Sequence, residues 1–220
     1  MVRRYLHTVK IRGSIPRGPI SVIFMSTKVF SMYKKLLQLF GSQRWWPADS
    51  SYEVVVGAIL TQNTNWKNVE KAVANMKREN KLTEKAVLEM PVEELQRLIR
   101  PSGFYRQKSE RLKLATGKWT ELNGKSLPLE TLRKEWLSVK GIGKETADSI
   151  LLYAMGKPIF VIDAYTRRFC KQYLNNEFKE YDEYRHFFEK NLPPDVKLFR
   201  EYHALIVTWG KEKRNGPGEI

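Results

Sequence analysis

A short glycine turn between two helical apolar patterns constrains this chain more than any other feature. Leu132, Trp136 and Val139 recur at helical spacing, the turn Gly-Ile-Gly follows at residues 141–143, and a second helical pattern predicts a helix over 144–155. Glycine at both turn positions permits backbone angles that other residues avoid. The amides at the start of the second helix would point outward beside its positive end, where a phosphate oxygen is held easily. The pattern therefore predicts a helix-turn-helix unit that can approach a polyanion closely.

An aspartate follows this unit at the start of another predicted helix. Glycine and proline in residues 156–158 end the preceding helix. The apolar run 159–162 then leads to Asp163 and to a helix predicted over 164–173. An aspartate in this place is typical of a helix N-cap, which accepts amide hydrogen bonds. The residue alone favours that role, whereas the glycine turn before it favours a chemical one.

The two features together carry a family resemblance. The sequence K-G-I-G-K-E-T-A-D-S-I-L-L-Y-A, followed by V-I-D-A-Y, resembles the helix-hairpin-helix, Gly/Pro-rich loop and aspartate signature of the endonuclease III superfamily of DNA glycosylases. The resemblance implies two helical lobes with an active-site cleft between them, one lobe built from the middle of the chain. It also implies double-stranded DNA with a damaged base as the partner.

Further apolar patterns predict an all-α fold without internal repeats. Helices are expected over 26–39, 51–62, 66–79, 91–99, 105–122, 129–139, 180–190 and 195–209. We expect one glycosylase domain over 25–213, with a middle lobe at about 50–155 and a second lobe from about 25–49 and 156–213. Residues 1–24 are expected to form a basic N-terminal extension and 214–220 a tail.

The charge of the chain favours a polyanionic partner, although a solvated basic surface explains it as well. The net charge is +15, but residues 1–48 hold nine Lys/Arg and no acid. The first 24 residues are rich in arginine and carry no secretory cleavage pattern. They are either an organellar transit segment or an extension before a start at Met25. The prediction is a dispensable extension, disordered or not native.

Cysteine usage limits the possible cofactors. Cys170 is the only cysteine, which excludes a disulfide within the chain and a cysteine-ligated zinc or iron–sulfur site. Many endonuclease III relatives carry a four-cysteine cluster, so this chain departs from them. No cofactor is expected, and Cys170 is expected to be buried and inert. No apolar run reaches the roughly 18–20 residues of a membrane span. We expect a cytoplasmic monomer without a membrane partner, nucleoid-associated if prokaryotic.

Two acidic residues carry the predicted chemistry. Breaking an N-glycosidic bond builds positive charge on the sugar, which a carboxylate can stabilise while it orients or deprotonates water. The resemblance gives this role to Asp163. Bifunctional relatives have a lysine at the position of Glu145, and a carboxylate cannot form their imine intermediate. Glu145 therefore predicts a monofunctional enzyme. It either acts in the pocket or only favours the helix start through the dipole.

Aromatic residues predict the substrate. The stretches around Trp45-Trp46-Pro47, L-T-Q-N-T-N-W and P-S-G-F-Y-R-Q-K-S-E-R-L resemble the endonuclease III-like 3-methyladenine DNA glycosylases. That resemblance implies a base pocket formed by Trp45, Trp46, Pro47 and Trp66, with Lys211 near it or simply on the surface. Electron-rich indole faces attract a positively charged alkylated purine. Core packing is the alternative for any single tryptophan.

The resemblance also implies a set of DNA contacts. Gln62 matches the residue that fills the gap left by a flipped nucleotide, and Phe104 matches the wedge beside the opposite base. The predicted hairpin contacts are Lys140, Gly141, Ile142, Gly143, Lys144, Glu145 and Thr146. The carbonyls of Leu137, Val139 and Ile142 are a candidate site for a structural Na+ or K+. A wider basic surface is predicted from Lys108, Lys113, Lys140, Lys144, Lys157, Arg167 and Arg168. The residues next to the hairpin are the candidates for phosphate binding, and the others are expected to form a solvated face. His203 is expected to be structural.

The sequence therefore predicts a monofunctional DNA glycosylase of base excision repair that flips an alkylated purine, 3-methyladenine above all, and leaves an abasic site. Three alternatives stay open at this point. A bifunctional lyase would form a covalent complex with DNA that borohydride traps, and Glu145 predicts that no such complex forms. The same scaffold could remove uracil or mismatched thymine, which would require polar partners for the base edges. A non-catalytic helix-hairpin-helix module would bind DNA without needing Asp163.

Overall fold

The computed structural model describes residues 27–212, in which eleven α-helices and no strand are found. In chain order the helices are α1 (Lys28–Phe40), α2 (Ser51–Leu60), α3 (Trp66–Arg78), α4 (Glu84–Glu89), α5 (Val92–Ile99), α6 (Tyr105–Leu122), α7 (Leu129–Leu137), α8 (Lys144–Ser149), α9 (Ala164–Phe169), α10 (Tyr181–Asn191) and α11 (Val196–Glu212). A 3₁₀ turn, Arg100–Ser102, joins α5 to α6. Both α8 and α9 continue for five residues with wider π-type hydrogen bonding. The predicted all-α fold is confirmed.

The sequence patterns located all but one of these helices, within three residues at each end when the π-type continuations of α8 and α9 are included. The missed helix is α4, a six-residue segment capped by Thr83, whose side chain accepts a hydrogen bond from the amide of Ala86. Fewer than two turns of helix cannot display an apolar period, so this segment carried no periodic signal. Its buried residue Val87 packs in the core beside α6.

Two groups of helices share one apolar core. Helices α2 to α6 pack against one another, while α11 packs against α1 and α9. The second half of α8 contacts both α2 and α11, and so joins the groups. Buried apolar side chains from both groups form a continuous cluster that includes Trp136 and Trp209. The predicted lobe boundaries remain a prediction, because the core is continuous where they would meet.

The glycine turn differs from the expectation at one of its two glycines. Gly141 has φ of +83°, in the region that favours glycine, and its missing side chain leaves room for the side chain of Arg111. Gly143 has φ of −90° and no neighbour within contact of an added Cβ. The backbone angle therefore requires glycine only at the first position. Ile142 between them is buried and anchors the turn.

A buried ion-pair network fixes the hairpin to the rest of the fold. Arg133 on α7 donates to both carboxylate oxygens of Asp148 on α8, at 2.8 and 3.2 Å, and to Asp182 on α10 at 2.7 Å. Lys144 at the start of α8 pairs with the other oxygen of Asp182 at 2.6 Å. Asp148 is fully buried, and burial raises its pKa although Arg133 acts in the opposite direction. The network links α7, α8 and α10.

Several expectations concern residues near the chain ends. The predicted extension 1–24, the start at Met25 and the tail 214–220 lie outside the described residues.

Cys170 is buried, and burial raises the pKa of its thiol to about 12, which fits an unreactive thiol. Within 27–212, no helix combines the length and apolarity of a membrane span.

Candidate active site

Asp163 uses its two carboxylate oxygens differently. Oδ1 accepts hydrogen bonds from the amide of Thr166 at 2.7 Å and from its hydroxyl at 2.9 Å, so Asp163 is the N-cap of α9. Oδ2 is left to face His203. The cap role and the chemical role are therefore compatible in one side chain. The cap also holds the carboxylate in a fixed orientation, with 15% of the side chain exposed.

His203 on α11 lies directly beside this aspartate. Its Nε2 is 3.6 Å from Oδ2 of Asp163, too long for a hydrogen bond but within range of an ion pair when the ring is protonated. Its Nδ1 is 2.7 Å from the hydroxyl of Tyr153. Burial raises the pKa of Asp163, but the contacts with His203 and Thr166 outweigh it and leave the pKa below its ordinary value. Asp163 is therefore ionised near neutral pH.

Glu145 lies at the start of α8, on the same side as Asp163. The residue as a whole is exposed to solvent. The protein around the carboxylate nevertheless raises the pKa of Glu145 to about 7, first through burial and then through repulsion from Asp163. No described residue donates a hydrogen bond to this carboxylate. The two acids thus have pKa values displaced in opposite directions, an arrangement common at catalytic sites.

The three predicted pocket tryptophans meet in space. Ring centroids are 5.5 Å apart for Trp45 and Trp46, 4.9 Å for Trp45 and Trp66, and 5.3 Å for Trp46 and Trp66. All three are half-buried, so neither core packing nor a fully exposed surface describes them. The Nζ of Lys211 lies 5.3 Å from the ring of Trp45, within cation–π range. We call these four residues the tryptophan cluster.

Contacts connect the tryptophan cluster to the aspartate. The ring of Trp46 is 5.3 Å from that of Tyr153, whose hydroxyl contacts His203, which in turn faces Asp163. Tyr153 was not anticipated at this site. Its side chain is buried and joins the aromatic surface to the acid.

A cavity of about 230 Å³ adjoins two rings of the tryptophan cluster. Its lining consists of residues from the Trp-Pro segment, α2 and α3, namely Trp46, Pro47, Glu53, Gly57, Trp66, Val69, Glu70, Val73, Ala74 and Lys77. Asp163 and Glu145 do not line it. The cavity therefore borders Trp46 and Trp66 without including either acid.

The side chain of Gln62 makes three hydrogen bonds, two of which hold it against the hairpin. Its amide nitrogen donates to the carbonyl of Gly141 at 3.1 Å and to the hydroxyl of Thr146 at 3.2 Å. Its amide oxygen accepts from Arg111 at 2.7 Å. The predicted gap-filling residue and the predicted hairpin contacts thus form one surface, to which Arg111 is an unpredicted addition.

Phe104 is the most exposed large apolar side chain among the described residues, at 63%. It has φ of +46° and directly precedes α6. A wedge residue has to be exposed in order to enter a duplex, and Phe104 meets this condition. The role of wedge is a prediction that this exposure favours.

The basic surface differs from the expectation. Lys108 is buried with 1% of its surface exposed, so it belongs neither to a solvated face nor to a phosphate-binding one. Lys113 donates to the carbonyls of Leu88 and Met90. Near the hairpin, Lys140 pairs with Glu110 at 2.9 Å on the exposed surface, while Lys144 is engaged by Asp182. Carboxylates therefore already contact both hairpin lysines.

The predicted cation site remains a prediction. The carbonyl of Val139 accepts a hydrogen bond from the amide of Ile142 at 3.0 Å. Among residues 27–212, no group of three or more His, Cys, Asp or Glu side chains is placed to hold a metal ion.

Sequence reasoning underestimated His203, Tyr153, Arg111 and Lys108. Each acts through a partner 40 or more residues away in the chain, or through a main-chain carbonyl. A lone histidine or lysine on an apolar helix has no local spacing that reveals such a partner.

A glycine hairpin, a helix-capping aspartate in the next element and a neighbouring aromatic cluster on an all-α scaffold define the helix-hairpin-helix class of base excision glycosylases. Residues 56–194 match the family model of the HhH-GPD superfamily base excision DNA repair protein. The chain belongs to this family.

Relatives agree with this assignment. A provisionally named DNA repair glycosylase of Methanocaldococcus jannaschii is 51% identical over 84% of this chain and 87% of its own. Endonuclease III of Thermotoga maritima is 28% identical over 73% of each chain. The crystal structure of the H. pylori 3-methyladenine DNA glycosylase bound to 1,N6-ethenoadenine superimposes with a TM-score of 0.74, at 31% identity, over 87% of this chain and 99% of that one.

Proposed function

We propose that this glycosylase removes alkylated purines, 3-methyladenine in particular, from double-stranded DNA and leaves an abasic site without cutting the strand. One observation carries the proposal. The three tryptophans meet in one cluster that Tyr153 and His203 connect to Asp163, and the position of the imine-forming lysine is occupied by Glu145. An aromatic pocket beside one ionised acid, with no amine at that position, suits hydrolysis of a cationic base.

Asp163 would act on the sugar and on water. As the glycosidic bond breaks, electrons leave with the base and the sugar becomes oxocarbenium-like. The ionised carboxylate stabilises this charge and accepts a proton as water adds to the sugar. The lowered pKa of Asp163 keeps it in the required form. An alkylated purine already carries positive charge, so the base can depart with little help from an acid.

The tryptophan cluster would bind the flipped base. A cationic ring is attracted to indole faces. A base stacked between two rings requires roughly 7 Å between them, which is twice a van der Waals contact of about 3.5 Å. The rings are 4.9 to 5.5 Å apart, so a base entering between them would part them. The cavity that Trp46 and Trp66 line provides space for that movement.

The absence of lyase activity follows from Glu145. A strand cut by β-elimination starts from a Schiff base between the sugar and an amine. A carboxylate at this position cannot form one, which supports a monofunctional enzyme. The name of the H. pylori relative, a 3-methyladenine glycosylase, supports the substrate.

The partner would be duplex DNA bound by a monomer. In the proposed complex, Gln62 fills the gap in the flipped strand, Phe104 stacks beside the opposite base, and the hairpin amides hold a phosphate. A monovalent cation on the carbonyls of Leu137, Val139 and Ile142 would support that hairpin. The exposed Phe104 and the hydrogen-bonded Gln62 support this arrangement.

The test is incubation of methylated duplex DNA with the wild type and with Asp163→Asn. Released bases are identified by chromatography, and abasic sites and strand breaks are scored separately. We expect 3-methyladenine release and intact strands from the wild type, with a loss of about 100-fold or more in the variant. Borohydride should trap no covalent complex.

Other outcomes identify the alternatives. Release of uracil or mismatched thymine, with methylated DNA untouched, would overturn the substrate. A borohydride-trapped complex would overturn the monofunctional reading. Equal DNA binding by both proteins, with no base released from any damaged duplex, would indicate a binding module instead.

A further inference from the structure

Lys108 on α6 is a lysine in the core of the protein. Its side chain is buried, and Nζ donates hydrogen bonds to the carbonyl oxygens of Leu60 at 2.8 Å and Ser102 at 2.7 Å. Burial lowers its pKa to about 8. Removing an ammonium group from water is unfavourable, and lysine is almost never fully buried unless it is paired. Packing alone would be served better by an apolar residue.

The two carbonyls occupy equivalent places relative to the DNA-facing residues. Leu60 is the last residue of α2, and Gln62 follows two residues later. Ser102 is the last residue of the 3₁₀ turn, and Phe104 also follows two residues later. The ammonium group of Lys108 therefore binds the main-chain carbonyl two residues before each proposed insertion residue.

We infer that Lys108 is a positioning residue that fixes Gln62 and Phe104 relative to each other, so that both enter the duplex as one preformed unit. The inference rests on the insertion roles in the proposed function. Extruding a nucleotide is unfavourable because the base must be unstacked and unpaired, and fixing loose side chains during binding would add to this cost. A buried bridge made before binding avoids the second cost.

Helix α6 reinforces this arrangement at a second point. Arg111, almost one turn after Lys108, donates to the side chain of Gln62 at 2.7 Å. Two residues of α6 therefore hold the segment around Gln62. Lys108 binds the main chain just before Gln62, and Arg111 binds the side chain of Gln62. Phe104 directly precedes this helix. Contacts with α6 therefore fix the positions of both proposed insertion residues.

Lys113 provides a matched control on the same helix. Its Nζ also donates to two main-chain carbonyls, those of Leu88 at 2.9 Å and Met90 at 2.7 Å. These carbonyls lie at the end of α4, outside both segments that carry the insertion residues. Lys108→Met and Lys113→Met therefore each remove one ammonium and two hydrogen bonds, but only the first affects the proposed unit.

The experiment measures insertion without any excision. A duplex containing a tetrahydrofuran abasic-site analogue, with 2-aminopurine as the opposite base, is compared with an undamaged duplex of the same sequence. Binding constants give the preference for the gap, and 2-aminopurine fluorescence reports Phe104 stacking. We expect Lys108→Met to lower the preference by about tenfold, the scale of one or two lost charged hydrogen bonds. Lys113→Met should retain it.

A double-variant background separates positioning from a general structural defect. In Gln62→Ala/Phe104→Ala, adding Lys108→Met should produce no further loss of preference. An equal fall in binding to undamaged duplex, abasic duplex and single strand would overturn the inference, as would a further loss in the double variant. If Lys108→Met yields no folded protein, Lys108→Gln, which keeps a donor for one carbonyl, is measured by the same criteria.

The assay also separates this inference from the substrate proposal, because the DNA contains no base to release. If the wild type prefers the abasic duplex here but releases no 3-methyladenine from methylated duplex in the separate excision assay, only the proposed substrate is overturned. A wild type without any preference for the abasic duplex overturns the insertion roles, and Lys108 positioning with them.

Discussion

Nε2 of His203 lies 3.6 Å from the free carboxylate oxygen of Asp163, while Nδ1 contacts Tyr153. The histidine has 7% of its side chain exposed, so this contact is shielded from solvent. Because the other oxygen of Asp163 is used in capping α9, His203 is the described side chain that acts on the oxygen available for chemistry.

Replacing His203 with leucine should move the acid limb of the pH–rate profile upward. The contact with His203 lowers the pKa of Asp163 against the effect of burial, so its loss leaves burial to raise that pKa. We expect the acid limb to move to higher pH, with recovery of the rate once the pH exceeds the raised pKa of Asp163. Rates on methylated DNA across pH test this. His186→Gln, an exposed histidine, is the control. An unchanged limb in His203→Leu contradicts the prediction.

Glu145 should produce a step in the rate near neutral pH. Its pKa of about 7 means that it gains a negative charge as pH rises through 7, beside a sugar that becomes positive. The wild-type rate should therefore rise across this range, while Glu145→Gln stays at the low-pH level. A step that persists in Glu145→Gln would assign the titration to another group.

The same carboxylate should affect stability. The folded pKa of about 7 exceeds the ordinary glutamate pKa of 4.5, so between these pH values the folded state holds a proton that the unfolded chain releases. This group therefore contributes stability below about pH 4.5 that is lost as pH rises through 7. Chemical denaturation at pH 8 should find Glu145→Gln more stable than the wild type. Equal stability at pH 8 would contradict the raised pKa.

Gly57→Ala tests whether the position of Trp46 controls base binding. An added Cβ would lie 3.1 Å from Cζ2 of Trp46, so the indole must shift by a few tenths of an ångström. We expect roughly three- to tenfold slower base release, less than the ~100-fold cost of a 1 Å misplacement.

Gly117→Ala is the control for helix propensity. Gly117 lies in α6 with no neighbour within 4 Å of an added Cβ. Alanine there should stabilise the helix by about 1 kcal/mol and leave the rate unchanged. Equal rates for Gly57→Ala and the wild type would show that base binding tolerates the movement of Trp46.

Breaking the Arg133–Asp148 pair should destabilise the fold. Asp148→Asn leaves a buried arginine without its main partner, which typically costs about 3–5 kcal/mol; the remaining contact with Asp182 favours the lower end. Urea unfolding measures the loss. Arg97→Met, which breaks an exposed pair with Glu79, should leave the midpoint unchanged. A midpoint in Asp148→Asn equal to that of the wild type would contradict the prediction.

Sequence alone determined the fold class, which is confirmed, and proposed the centre of the candidate site, because both depend on local patterns. Helical apolar spacing located ten of the eleven described helices. The turn at 141–143 and the aspartate at 163 are separated by a short, fixed length of chain, so one motif contains both. Sequence patterns missed α4, because six residues are too few to show a helical period. They also suggested a need for glycine at 143, where the observed backbone angle is open to any residue.

Only the tertiary structure decided which distant side chains meet. Sequence could name Trp45, Trp46 and Trp66 but could not show their rings in contact. It described Lys108 as part of a basic surface, whereas folding buries its ammonium between two carbonyls. His203 reaches Asp163 through the packing of α11 on α9. Burial and electrostatic neighbours depend on this three-dimensional packing, so the pKa shifts of Asp163 and Glu145 had no signature in the order of the residues.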